Sequence, residues 1–308
     1  GIYEKYPIIK AFMEKRCYKE LLKNPLYVNL IIKNITDISN ISDENLLRSY
    51  IWENIICLKE KSKQYDVLYN EVVDVIKRIV FERAKQFTLG VDRETLNSKI
   101  VSSLMSEGVV VENKNLIRLK YDVFEDICFE QQIDKEFDVC RGNYNSFFSK
   151  IEEMGRCCFR RYQIWVSNKV LTKINRDKFL SNLIFSDNLP DLWTKQTMIG
   201  LVNSRFSSCF FEEYANDLIA EGLIWKLIDV TNLHAFNSRY FEYKDYPFIQ
   251  LIPKGEGRPS LIKIIYEKNL HKVNNIKIES IKKLCFDYAK NDNHDKQIAN
   301  IACAILIT

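Results

Sequence analysis

Between residues 69 and 129 the spacing of apolar positions changes from helical to strand-like and back. Val72, Ile76, Ile79, Val80, Ala84 and Phe87 recur three and four apart, which predicts a helix. Leu89-Gly90-Val91 then breaks it with the residue best able to take φ > 0. Asp92 is a sensible N-cap for a second helix that carries Leu96, Ile100 and Leu104 on one face. Gly108 falls just past its end, where a left-handed cap is wanted. Val109 to Val111 and Leu116 to Leu119 are short β-prone runs, joined by Glu112-Asn113-Lys114-Asn115, a connection of hairpin length. A further helix follows Lys120-Tyr121-Asp122. Helix, helix, hairpin, helix is the order of a winged helix.

Upstream, Tyr3 to Lys33 reads as helical, punctuated at Tyr6-Pro7 and again at Lys23-Asn24-Pro25, and Pro25 suits the first position of a helix because no N–H donor is needed there. Asn34 to Ser42 is a polar connection. Ser42-Asp43-Glu44 then restarts a helix with acidic residues where its dipole favours them. Beyond Phe129 the pattern is helical with short polar turns and no recurrent β-pattern: Ser146 to Leu171, Arg176 to Ile184, Leu192 to Val202, Glu212 to Ile228, Pro259 to Tyr266 and Ile278 to Ala289. No fixed period unites these helices, so a strict repeat array is not supported, and irregular paired helices stacked as a solenoid are the natural reading. The expectation is a mainly α chain in three parts: a helical lid-like subdomain over residues 1–65, a winged-helix domain with a small β-hairpin over 66–138, and an α-helical, solenoid-like region over 139–308.

Composition narrows the function. With 308 residues, 46% hydrophobic and 12% aromatic, the chain is long enough for two or three well-filled cores. The net charge of +4 is spread along the chain, without the dense basic block of a nucleic-acid footprint. Nine cysteines, an odd number with no CxxC pair, suit reduced thiols in a cytoplasmic protein better than a disulfide framework. His234, His271 and His294 lack zinc-ligand spacing. No apolar run reaches the length of a membrane span, and no secretory signal is present. An opening Gly1 rather than Met suggests a piece of something larger.

Three stretches carry candidate chemistry. Gly255-Glu256-Gly257, ahead of Arg258-Pro259-Ser260, has the look of a phosphate-cradling loop opening a helix, yet no strong strand precedes it and no Lys-Ser/Thr follows, so a plain turn is the competing reading. Arg156, Arg160 and Arg161 alternate with Phe159, Tyr162 and Trp165, a mixture that suits stacked single strands. The bland alternative places Cys158, Tyr162 and Trp165 on a core face and the arginines in solvent.

The third is the junction after the wing. The run from Leu104 through Gly108-Val-Val to Leu116-Ile-Arg-Leu-Lys-Tyr-Asp-Val-Phe-Glu-Asp126 resembles the winged-helix domain of STAND NTPases, the signalling ATPases that include NB-ARC proteins and bacterial Avs-type antiviral sensors. In that family the junction carries a Met-His-Asp motif whose His reaches the phosphates of ADP. Tyr121 stands here at the His position, and Asp122 matches. Leu22-Lys-Asn-Pro-Leu-Tyr-Val-Asn-Leu resembles the family's Gly-x-Pro region, whose proline packs near adenine, with Pro25 as that proline and Lys23 in place of the glycine. The helices from Phe147 to Leu171 and onward from Trp193 are similar to the sensor arm of bacterial members.

The resemblance implies peripheral nucleotide contacts or a switch at Pro25, Tyr121 and Asp122, with Asp122 capping the next helix. It also implies an upstream nucleotide-binding domain of the same chain that would supply ATP/ADP and Mg²⁺ chemistry, a protein trigger on the helical arm, and an oligomer when intact. No Walker A sequence and no Walker B strand occur in these residues, so no ATP hydrolysis and no cofactor are expected of the fragment itself. The alternatives are a plain helical scaffold and a DNA-binding regulator with a helical ligand or dimerisation domain. Its recognition helix, Asp92 to Glu107, would set Arg93 and Lys99 against Asp92, Glu94 and Glu107, a poor balance for approaching phosphates, so specific DNA is not expected.

Overall fold

The computed structural model describes residues 6–15, 18, 21–35, 41–140, 142–155, 157–169, 176–185, 190–243, 246–273, 277–290 and 295–307. Tyr3, Cys17, Arg156 and His294, and the middle of the connection from Asn34 to Ser42, lie outside them. The protein is mainly α. Its contacts divide it into two compact units, residues 1–135 with 152–156, and residues 136–151 with 157–308. Residues 1–65 and nearly all of residues 66–138 thus fall in one unit.

In the first unit, α1 (Pro7–Glu14), α2 (Pro25–Asn34) and α3 (Glu44–Tyr50) begin where their sequence predicts. Pro7 and Pro25 sit in the first turn, Asn24 accepts from the Leu26 N–H at 2.9 Å, and Asp43 accepts from that of Leu46 at 2.9 Å. The chain leaves α3 in a wider π-turn over Ile51–Ile56, closed by the Cys57 N–H on the Trp52 carbonyl at 2.9 Å. This turn buries Ile51, Trp52, Ile55 and Ile56 together. Leu58, at φ 54°, ends it.

Helix α4 (Tyr69–Gln86) buries Val72, Ile76, Ile79 and Val80, and ends at Phe87 with φ 55°. The expected left-handed role of Gly90 therefore falls to Phe87. Gly90 is needed for close approach instead, because a Cβ there would sit 2.8 Å from the Ile117 carbonyl oxygen. Asp92, expected to cap the second helix, caps a short 3₁₀ turn (Arg93–Thr95) by accepting from the Glu94 N–H at 3.0 Å. The cap of α5 (Ser98–Ser106) is Asn97, which accepts from Lys99 at 3.0 Å and from Ile100 at 3.4 Å. Gly108 does act as expected, at φ 69°, where its N–H bonds the Met105 carbonyl and the Val109 N–H that of Leu104, two nested bonds that satisfy the helix end.

β1 (Val91–Asp92), β2 (Val110–Asn113) and β3 (Leu116–Leu119) form an antiparallel sheet in the order β1-β3-β2. The hairpin turn is tighter than its sequence predicts. Asn113 pairs with Leu116, leaving only Lys114 and Asn115, both at positive φ (50° and 65°), as a two-residue turn of the kind that matches strand twist. Helix α6 (Asp122–Cys140) follows and buries Phe124, Ile127, Cys128, Phe129 and Ile133. Helix, strand, helix and hairpin give the winged-helix order.

In the second unit the expected helix from Ser146 to Leu171 is two, α7 (Tyr144–Glu152) and α8 (Cys158–Lys169), with Gly155 at φ 108° between them. Helix α9 (Arg176–Ile184) and α10 (Asp191–Asn203) follow. The expected helix from Glu212 to Ile228 is likewise two, α11 (Ser207–Ala220) and α12 (Leu223–His234), separated by Gly222 at φ 66°. After α12 the chain departs from expectation altogether. β4 (Phe236–Tyr243) and β5 (Tyr246–Pro253) form a long antiparallel hairpin, in register from Phe236↔Pro253 to Tyr243↔Tyr246. Helices α13 (Gly257–Glu267), α14 (Leu270–Val273), α15 (Ile278–Ala289) and α16 (Lys296–Ile307) complete the unit. Helix α10 packs on α8 and α12, and α12 on α15, while α11 packs on α13 and α13 on α16. This alternation makes two layers of helices without a fixed repeat length.

Candidate functional site

Within the first unit the lid and the wing leave a polar cleft of about 190 Å³. The second half of α2 supplies Asn29, Leu30, Lys33 and Asn34, and the π-turn with its exit supplies Asn54, Ile55, Leu58 and Lys61. Glu107, Gly108 and Val109 come from the end of α5, and Lys120, Tyr121 and Phe124 from the junction of β3 with α6. Three lysines and three asparagines therefore surround a single carboxylate, Glu107.

Glu107 is held by the segment that follows the π-turn. Lys61 Nζ donates to its Oε2 at 2.5 Å and the Tyr65 hydroxyl to its Oε1 at 2.6 Å, while Ser106 Oγ donates to that same hydroxyl at 3.2 Å. Burial opposes the charge on Glu107, but the hydrogen bonds from Lys61 and Tyr65, with the Lys61 charge, outweigh it and hold the carboxyl below its ordinary value. Lys33 and Lys120 are exposed. The Lys120 ammonium lies 5.4 Å from the centre of the Tyr121 ring, and Tyr121 meets Phe124 edge to face at 5.2 Å.

The sequence-predicted residues do not converge. Tyr121 lines the cleft, whereas Pro25 is at the opposite end of α2, about 12 Å from Lys33 along the helix axis at 1.5 Å per residue. Asp122 is exposed in the first turn of α6 and, among the described residues, makes no side-chain hydrogen bond, so the expected cap is not formed. Its charge still lies at the end of the helix where the dipole favours an anion. The residues that face Tyr121, namely Lys33, Lys61, Glu107 and Lys120, were not singled out from the sequence as a site. Lys61 and Glu107 are too far apart for any local spacing to reveal them.

The other stretches resolve into structure. A Cβ at Gly255 would come within 2.5 Å of the Asn203 backbone and one at Gly257 within 2.6 Å of Val202, so these glycines let the chain press against α10. Arg258 is fully buried, where its guanidinium donates to the carbonyls of Leu284 and Thr231, both at 3.1 Å, and lies over Phe236. Burial pushes its pKa down to about 10 despite the nearby Asp287 carboxylate. Tyr162 and Trp165 are fully buried, and the Tyr162 hydroxyl meets Thr197 Oγ1 at 2.8 Å, so these rings are core and cannot stack on bases. On the presumed DNA-reading side, Arg93 is paired with Glu112 and Lys99 with Asp66.

Among the described residues no helix is long and apolar enough to cross a membrane, and no group of three or more His, Cys, Asp or Glu is placed to hold a metal ion. No protein-family model and no curated protein matches the sequence.

Proposed function

We propose that residues 1–308 are the regulatory and sensing part of a STAND-type signalling ATPase that works in the cytoplasm, the kind of protein used in antiviral defence. The observation that carries the reading is that lid and winged helix share one compact unit and that the junction residue Tyr121 turns into the cleft between them. A nucleotide-binding core upstream in the same chain would dock beside this unit, closing on ADP and opening with ATP into an oligomer. A protein trigger on the helices of the second unit drives the opening, provided it binds the open state more tightly. The pairing of Arg93 with Glu112 speaks against the DNA-binding regulator, because it engages one of the only two cations on the reading helix.

The test is to read the coding sequence ahead of residue 1. A Walker A and a Walker B within roughly 300 residues are expected, given ordinary domain sizes, and an upstream stretch without them refutes the assignment. In the intact protein Tyr121→Ala should raise signalling without trigger. Resting output unchanged in a folded, abundant variant leaves the junction without a switching role.

A further inference from the structure

We propose that the β4–β5 hairpin is a dimerisation arm, whose open β4 edge takes the β4 strand of a second copy of this chain, laid antiparallel. The inference concerns the second unit alone and does not depend on the upstream ATPase.

The register decides which backbone groups are spare. The Lys254 N–H bonds the Ala235 carbonyl at 3.0 Å at the foot of the strands, so the hydrogen-bonded pairs continue as Asn237↔Ile252, Arg239↔Gln250, Phe241↔Phe248 and Tyr243↔Tyr246. The alternate pairs, Phe236↔Pro253, Ser238↔Leu251, Tyr240↔Ile249 and Glu242↔Pro247, turn their backbone groups away from the hairpin. Both prolines of β5 thus fall where a donor would face outward, and only Ile249 and Leu251 keep an outward N–H on that edge. Every outward position of β4 keeps its own. One edge is blunted and the other is intact.

Among the described residues the intact edge is unused. The sheet holds only these two strands, and no helix packs broadly on either. The arm is fixed at its base, where the Arg258 guanidinium lies 4.5 Å from the centre of the Phe236 ring. Farther out Asn237 and Ser238 are exposed, and Ile249 and Leu251, which share a face, are 67% and 51% exposed. A lone two-stranded ribbon is marginal in water and gains independent stability from further strands, so this one has room for a strand beside β4.

An open strand edge is satisfied by another extended backbone, and β4 is its own antiparallel complement about a two-fold axis. Such pairing matches outward residue to outward residue, and the registers of greatest overlap are centred on Arg239 or on Tyr240. The first sets Arg239 against Arg239, like charges directly opposite. The second sets Ser238 against Glu242 and Arg239 against Phe241, with no like charges facing, and it is the register expected. The sheet so formed, β5-β4-β4-β5, carries the proline-bearing strands at both outer edges, which stops growth at two copies. Ile249 and Leu251 of both copies then lie on one continuous face. β4 contributes eight residues a side, against about 20–30 in an interface of standard size, so the dimer is reversible rather than permanent.

The experiment is sedimentation velocity of the full 308-residue chain from about 1 µM to about 1 mM, with hydrogen exchange read at single amides over the same range. A monomer–dimer equilibrium should appear, without larger species. As the dimer forms, exchange at Ser238, Tyr240 and Glu242 should slow about tenfold or more, a larger factor than at Asn237, Arg239 and Phe241, which β5 already protects. Ser238→Pro removes an outward N–H and no bond within the hairpin. It should weaken association about tenfold or more, since a two-fold dimer loses the contact twice, while Ser238→Ala should leave association unchanged. A chain that stays monomeric leaves the edge to a strand of a different protein and overturns the proposal. So do larger species in place of a dimer, outward amides that gain no protection, Ser238→Pro associating like wild type, or Ser238→Ala weakening association as much as Ser238→Pro.

Discussion

Arg48→Met should be among the most damaging single changes in the first unit. From α3, Arg48 donates to both carboxylate oxygens of Glu130 in α6, at 3.0 and 3.3 Å, and its Nε reaches Glu44 at 3.3 Å. Glu130 is 1% exposed. Burial disfavours the charge on Arg48, yet the Glu130 carboxylate and the Tyr27 hydroxyl outweigh that penalty and its pKa is raised. Removing the cation leaves a buried carboxylate without its guanidinium, a defect that costs about 3–5 kcal/mol. Glu130→Gln should cost less, about 1–3 kcal/mol, because Arg48 keeps Glu44 and the amide retains an acceptor. The double variant Arg48→Met/Glu130→Leu should recover much of the loss, since replacing both partners by apolar groups removes the unpaired charge. Because the chain has two units, a single unfolding midpoint is not a safe readout. Hydrogen exchange in increasing urea, resolved on peptides from α3 and α6, isolates the pair. A loss below about 1 kcal/mol for Arg48→Met, or a double variant no more stable than Arg48→Met alone, refutes the reasoning.

Four further outcomes are expected. Gly108→Ala should destabilise the wing by about 1–2 kcal/mol through φ alone, since the new Cβ would stand an ordinary 3.7 Å from Lys120 Nζ; hydrogen exchange on peptides from α5 and β2 checks this. Glu107 has a depressed folded pKa, so its contribution is present above the unfolded value of about 4.3 and disappears as pH falls through the lower folded value. Glu107→Gln should therefore flatten the acid side of a stability–pH profile and leave the alkaline side alone. Asp122→Ala should cost only about 0.3–1 kcal/mol, the size of a dipole effect rather than a cap, measured by hydrogen exchange on α6 peptides against wild type. Duplex DNA should bind only non-specifically, at about 10⁻⁴ to 10⁻⁶ M in physiological salt; a nanomolar, sequence-selective complex lost on Lys99→Glu refutes this.

Local chemistry made much of the fold legible. Pro7, Pro25, Asp43 and Gly108 mark element ends because each acts within a few residues of itself, through a fixed φ, a side-chain acceptor or a left-handed turn. Misreadings arose where a local signal had two physical uses. Gly90 serves close packing against β3 rather than a left-handed turn, and Asp92 caps a 3₁₀ turn because Asn97 lies nearer the true start of α5. Gly155 and Gly222 each split a continuous helical pattern in two, because a single left-handed residue leaves the spacing of apolar positions on either side intact. The hairpin from Phe236 to Pro253 is rich in aromatic and β-branched residues, a visible signal that the helical rhythm on either side obscured. Of the cleft, the sequence marks only Tyr121 as a site residue. Its lysines and its carboxylate are brought together by tertiary packing over separations that no periodicity records.

The π-turn at Ile51–Ile56 has a bearing on how this chain tolerates changes of length. Deleting one residue from an ordinary helix turns everything beyond it by about 100° and carries buried side chains to the surface. Here Ile51 and Ile56 are both fully buried five positions apart, one more than an α-helical turn would place between neighbours on a face. Loss of Asn54 would bring that spacing to four and let α3 continue as a regular helix with the same side chains inward. The wider turn thus carries a spare residue, and the segment beside the cleft is where a relative shortened by one position would be expected to keep its fold.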